Sequence, residues 1–147
     1  WTIDLIATDL SAAAISRAEE GRYDAEEMAR GLGDEQRANW FRPSGEQWRV
    51  TGALRRMVDF RVFNLLDSYG WLDDLDFIFC RNVLMYFDRA AKASVLERMA
   101  DTLVPDGLLL LGETETTEPL PNLFIEVPGG EAVYGRGREP VSRLAAG

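Results

Sequence analysis

FIFCRNVLMYF, residues 77–87, decides how the rest of this chain is read. It is the most apolar segment of the sequence, yet Arg81 and Asn82 place a guanidinium and an amide in its middle. Burying an unpaired guanidinium is costly unless a partner or a solvated cleft receives it. The segment therefore reads as a strand, LDFIFC at 75–80, that ends on Arg81–Asn82 before Val83–Phe87 lead back into the core. With no polar alternation after Asp76, the strand is expected to be buried on both faces. In open α/β sheets, ligands bind outside the carboxyl ends of the strands.

Working outward, TIDLIATD (2–9) reads as a buried strand ending on Asp9. The helix after it has Ser11 as N-cap and Gly21 at the C′ position. Residues 24–35 are polar and acidic with Gly31 and Gly33, which predicts a helix end and a loop. The stretch 36–57 differs, because Arg37, Arg42, Arg49, Arg55 and Arg56 face only Glu46 among acids. Within it, Pro43, Ser44 and Gly45 between apolar flanks predict a small hairpin insert. MVDFRVFNLL (57–66) alternates Val58, Phe60 and Val62 and reads as a strand ending at Asn64. Asp88 is placed to cap a helix over 89–104, with Val95, Leu96, Met99 and Leu103 on one face and Pro105 and Gly107 as its stop. GLLLLGE (107–113) is a further buried strand, and FIEV and EAVYGR around PGG (128–130) form a hairpin. The tail 137–147 is expected to fray. The order β–α–insert–β–β–α–β–β–β implies one α/β domain over 1–147, with a mostly parallel sheet and an antiparallel C-terminal edge hairpin.

Composition narrows the chemistry. The chain has 147 residues, no histidine, one cysteine and a net charge of −9. Histidine-based metal sites and Ser–His or Cys–His catalysis are excluded, and one cysteine builds neither an internal disulfide nor a Cys-rich zinc site. The lone thiol favours a reducing compartment such as the cytoplasm. The acidic balance argues against nucleic-acid binding, and no apolar run approaches the roughly 20 residues of a membrane span. The start on Trp1, with neither initiator Met nor signal peptide, reads as a piece of something longer.

Asp9, Asn64 and Arg81–Asn82 are polar strand ends that packing does not call for. Asp9 either accepts hydrogen bonds from both hydroxyls of a ribose or caps the next helix. Asn64 alone also reads as a turn residue. Arg81 could instead pair with Glu113 or Glu115, and Tyr86 could be core. The basic insert could be a solvated hairpin with Trp40 and Trp48 as a minicore.

ATDLS (7–11), the Ala18–Gly21–Tyr23 spacing, VDFRVFNLLD (58–67), DFIFCRNVLMYFD (76–88) and PDGLLLLGETE (105–115) together resemble the CheR-type chemotaxis methyltransferases. The resemblance implies a Rossmann-like class I methyltransferase sheet that binds S-adenosylmethionine, releases S-adenosylhomocysteine and methylates glutamate side chains of methyl-accepting receptors. It implies Asp9 on the adenosine ribose, Asn64 and Leu65 on the adenine side, Arg81 and Asn82 beside the methionine moiety, and Tyr86 near the departing methyl. No metal is needed, because a glutamate oxygen is already an adequate nucleophile and catalysis is mainly alignment. Partners implied are the receptor's cytoplasmic domain and a receptor tail peptide docking on the insert.

The family's first strand and its Gly-containing loop precede the segments present here. That strand lies between the ones at 2–9 and 75–80, so the central strand is expected to be missing. The two flanking strands should then close on each other, or the chain should self-associate through unpaired edges. The chain alone is expected to be inactive and to bind cofactor weakly. A competing reading is a non-catalytic cofactor-binding or scaffold module in a signalling pathway. A nicotinamide-dependent Rossmann oxidoreductase lacks its Gly-rich fingerprint.

Overall fold

Ser11 and Gly21 bracket the first helix as their chemistry requires. In the computed structural model, which describes residues 2–30 and 32–137, the Ser11 Oγ accepts from the Ala14 N–H at 3.3 Å. Gly21 adopts φ 59° and returns its N–H to the Arg17 carbonyl. The chain divides into two compact units, Trp1–Asn64 and Leu65–Gly147.

The first unit starts with β1 (Leu5–Asp9), shorter than the expected 2–9, and α1 (Ala12–Glu20). After a two-residue β2 (Arg22–Tyr23), the stretch expected as a helix end and a loop carries α2 (Ala25–Ala29) and the start of α3 (Asp34–Trp40), which runs on into the insert. For α2 the reason is local. Asp24 Oδ1 accepts from the Glu27 N–H at 2.8 Å while Glu27 Oε2 accepts from the Asp24 N–H at 2.9 Å, a reciprocal capping box. Buried Met28 then pins α2 from its apolar side.

The hairpin forms where the turn residues place it, as β3 (Phe41–Ser44) and β4 (Gln47–Val50). Gly45 sits at φ 65° in the two-residue turn, where a primed hairpin turn needs a left-handed residue. The sheet order is β2–β4–β3. Four arginines of the basic stretch bond backbone carbonyls: Arg37 and Arg42 do so locally, while Arg49 Nε donates to the Glu20 carbonyl at 3.2 Å and Arg55 Nε to the Glu19 carbonyl at 2.8 Å. The Glu19 and Glu20 carbonyls belong to the last turn of α1 and have no partner inside the helix. The one-turn helix α4 (Gly52–Arg55) leads into β5 (Val58–Val62), parallel to β1 in the register Leu5↔Val58 to Asp9↔Val62. Helix α1 packs on this pair, but Leu5 and Ile6 stay largely exposed, against the expected burial.

In the second unit, β6 (Leu75–Cys80) has the expected bounds. After a 3-10 turn at Leu84–Tyr86 comes α5 (Arg89–Thr102), whose N-cap Asp88 accepts from the Ala91 N–H at 2.8 Å. Val95, Leu96, Met99 and Leu103 are all buried, as the helical spacing predicts. β7 (Leu103–Leu111) begins earlier than expected and takes in Pro105 and Gly107. A Cβ at Gly107 would lie 3.0 Å from both the Leu75 and Val104 carbonyl oxygens, so glycine lets the strands approach without displacing backbone. β8 (Phe124–Glu126) and β9 (Val133–Arg136) form the C-terminal antiparallel hairpin. The sheet order is β6–β7–β9–β8, with β6 and β7 parallel.

Period-two alternation explains why β6 is not buried on both faces. Ile78 and Cys80 share a covered face with Leu109 and Leu111, whereas Phe77 and Phe79 point the other way and are 58% and 72% exposed. Both β1 and β6 keep one edge without a ladder among the described residues. Of the tail expected to fray, Gly137 donates its N–H to the Leu123 carbonyl at 2.7 Å; residues 138–147 lie outside the described residues.

Candidate functional site

The candidate residues fall at the carboxyl ends of parallel strands in each unit. In the first unit, Asp9 closes β1, and its carbonyl accepts from the Phe63 N–H at 2.9 Å, so Asn64 follows at the same end of the β1–β5 pair. Asp9 Oδ1 accepts from the Ser11 N–H at 2.7 Å. Half of the capping alternative is thus realised: the carboxylate shapes the turn, while Ser11 is the N-cap. The second carboxylate oxygen has no protein partner among the described residues, and the side chain is exposed. Two recesses in this unit, about 430 and 390 Å³, converge instead on Val58 and Asp59 at the opposite end of β5 and contain neither Asp9 nor Asn64.

In the second unit, Arg81, Asn82 and Tyr86 lie on one loop between β6 and α5. Asn82 takes a left-handed backbone, φ 60°, a conformation that asparagine tolerates better than most residues. Arg81, Asn82, Val83, Met85 and Tyr86 are exposed, and only Leu84 is buried. Tyr86 is therefore not core: it is 82% exposed. Arg81 makes no ion pair with Glu113 or Glu115. Leu65 is half-buried, and its carbonyl accepts from Arg98 Nη1 at 3.3 Å, alongside those of Leu66 at 2.6 Å and Asp67 at 3.3 Å. A cation on α5 thereby fixes the stretch that carries Leu65.

The loop is tied down by Glu115, which the sequence offered only as an ion partner for Arg81. Its Oε2 accepts from the Asn82 N–H at 2.6 Å and the Gly112 N–H at 2.8 Å, and its Oε1 from the Met85 N–H at 3.2 Å. Glu115 is 4% exposed. Burial pushes its carboxyl upward, but the surrounding backbone N–H groups of Gly112, Asn82, Met85 and Leu84 outweigh it and hold the group below its ordinary value. Gly112 is required beside it, because a Cβ there would lie 2.9 Å from Glu115 Oε2 and 3.1 Å from the Asn82 nitrogen. The available signal was a carboxylate three residues after a strand-end glycine. Cys80, just before the loop, is buried, and burial together with the Glu115 charge pushes its thiol up to about 12.

The parallel pairs β1–β5 and β6–β7, the antiparallel C-terminal hairpin and the polar groups at the strand ends fit a Rossmann-like α/β domain of the methyltransferase class. The profile of the CheR methyltransferase SAM-binding domain matches residues 1–133. The chain belongs to that family, and S-adenosylmethionine is the cofactor that membership gives it. It is 44% identical over 121 residues to a chemotaxis protein methyltransferase of Pseudomonas putida, covering 82% of this chain and 44% of that protein. It is 43% identical over 123 residues to chemotaxis protein methyltransferase 1 of Pseudomonas aeruginosa, covering 83% and 45%. A counterpart in Vibrio parahaemolyticus is 40% identical over 124 residues, covering 84% and 45%. The chain thus spans less than half the length of these relatives. Among the described residues, no helix is long and apolar enough to cross a membrane.

Proposed function

We propose that the polypeptide carrying this chain transfers a methyl group from S-adenosylmethionine to glutamate side chains on the cytoplasmic part of methyl-accepting chemotaxis receptors, forming glutamyl methyl esters. The observation that carries the reading is the exposed Arg81–Tyr86 loop at the carboxyl end of β6, in a chain whose family is defined by S-adenosylmethionine binding.

The available groups fit the cofactor. Asp9 keeps an exposed carboxylate oxygen for ribose hydroxyls after its other oxygen has set the turn. Asn64 and Leu65 are assigned to the adenine side, and Arg81 and Asn82 to the methionine end. When bound, the cofactor supplies an electrophilic methyl on a sulfonium. The protein's task is then to hold a glutamate oxygen in line with it. Arg81 steers the incoming carboxylate as an unpaired cation, and the exposed Tyr86 phenol orients the reacting groups. One or two donors suit this step, since a tighter grip on the ground-state carboxylate would blunt it. The insert at about 36–57 offers a receptor tail the outer edge of β3, which has no ladder among the described residues.

The full-length polypeptide, incubated with radiolabelled S-adenosylmethionine and receptor, should give methyl label on receptor glutamates that base releases as methanol. Asp9→Asn keeps an oxygen for the Ser11 N–H but removes the charge. Hydrogen bonds to charged groups contribute roughly 1.5–3 kcal/mol, so S-adenosylhomocysteine affinity should fall by about tenfold or more. Label that is absent, or that resists base, would overturn the assignment.

A further inference from the structure

We propose that Glu115 is a positioning residue for the cofactor-side loop, holding Asn82 and Met85 by their backbone so that Arg81 and Tyr86 are presented outward. The proposal rests on the cofactor reading above. Three observations lead to it.

First, the loop has little else to hold it. Among its residues from Arg81 to Tyr86 only Leu84 is buried, and its own bonds are the 3.2 Å turns from the Tyr86 N–H to the Val83 carbonyl and from the Phe87 N–H to the Leu84 carbonyl. An exposed segment with a left-handed residue at Asn82 would sample many conformations without an outside anchor.

Second, the anchor is a buried carboxylate with no cation against it among the described residues. Removing an unpaired charge from water is expensive, and here backbone N–H groups alone compensate it. An apolar side chain would cover the same space without that expense, but it could not accept N–H bonds from both the loop and the end of β7. Glu115 joins them: the Gly112 N–H belongs to the strand exit and the Asn82 and Met85 N–H groups to the loop, 33 and 30 residues away in sequence.

Third, the arrangement keeps Arg81 available. A carboxylate saturated by backbone donors does not draw the neighbouring guanidinium into an ion pair, and Arg81 forms none among the described residues. The same group therefore fixes the loop backbone and leaves its cation free for a ligand.

The test uses the full-length polypeptide and the variants Glu115→Gln, Glu115→Asp and Asp9→Asn. Glutamine matches the volume but turns an NH2 toward at least one N–H donor. Aspartate keeps the charge but withdraws it by one methylene. Hydrogen–deuterium exchange at Asn82, Met85 and Gly112 should speed up at least tenfold in Glu115→Gln. S-adenosylhomocysteine affinity should fall about tenfold, equivalent to about 1.4 kcal/mol. The KM for S-adenosylmethionine should rise more than kcat falls, and Glu115→Asp should recover part of both losses. If Glu115→Gln does not fold, Glu115→Asp carries the same readouts with smaller changes. Unchanged exchange overturns the proposal. So does faster exchange with cofactor affinity within twofold of wild type, which would make Glu115 a fold residue only. If Asp9→Asn weakens binding while Glu115→Gln does not, this proposal fails and the cofactor reading stands. If the wild-type protein binds no S-adenosylhomocysteine, both fail.

Discussion

Replacing Gly112 by alanine probes a crowded point of the second unit, where the end of β7 meets Glu115. The added methyl would meet Glu115 Oε2 at 2.9 Å, the Asn82 nitrogen at 3.1 Å and the Asn82 side-chain oxygen. The last of these can swing away, because Asn82 is exposed. The other two cannot, because they are bonded to each other at 2.6 Å and the same oxygen holds the Gly112 N–H at 2.8 Å. Relief must come from lengthening at least one charge-assisted bond or shifting the strand exit. Overpacking costs about 1–3 kcal/mol and weakening a bond to a charged group a similar amount. We expect a loss of about 2 kcal/mol, a fall in melting temperature of about 4–8 °C. Urea denaturation followed by near-ultraviolet circular dichroism measures it. Gly135→Ala is the control: its Cβ would meet nothing nearer than the Ile125 carbonyl oxygen at 4.0 Å, so its stability should stay within about 0.5 kcal/mol of wild type. A Gly112→Ala protein as stable as that control would refute the crowding argument.

Glu115 should also leave a mark on acid stability. Its folded-state pKa is depressed, so its contribution is present above the ordinary value of 4.5 and is lost as pH falls through the lower folded value. The stability gap between wild type and Glu115→Gln, from urea midpoints, should therefore narrow below about pH 4.5; a gap that widens on acidification contradicts the sign. Cys80, with its thiol pushed up to about 12 and only 5% exposed, should resist a thiol reagent at pH 8 in the native protein and react fully in urea. Stoichiometric labelling of the native protein within minutes would show that the β6 end is open.

Local chemistry was readable where it is contained in a few residues. The strand at 75–80, the Ser11 and Asp88 caps, the Gly21 stop and both hairpins depend on neighbours within one or two turns, and all formed. Helix α2 had a local signal, the Asp24–Glu27 box, which fits the helix end expected there, whereas α3 starts after Gly33 without a side-chain cap in a stretch expected as loop and insert. What sequence order could not supply was the partner of each group. Glu115 was weighed as a counter-ion for Arg81, yet its donors are backbone N–H groups, identical at every position and invisible in residue types. The arginines at 49 and 55 read as a basic surface but bond helix-end carbonyls 29 and 36 residues earlier. Phe77 and Phe79 were read as buried because an apolar run carries no mark of how many sides of a sheet are covered.

Asn82 meets two demands that rarely coincide. Its backbone sits at φ 60°, and its side chain is the amide assigned to the cofactor. Glycine would meet the first demand and not the second; glutamine would carry the amide on a backbone that resists the turn. On the proposed role, few residues other than asparagine would satisfy both demands. A paired comparison of Asn82→Gly and Asn82→Gln would divide the geometric share of that constraint from the chemical one.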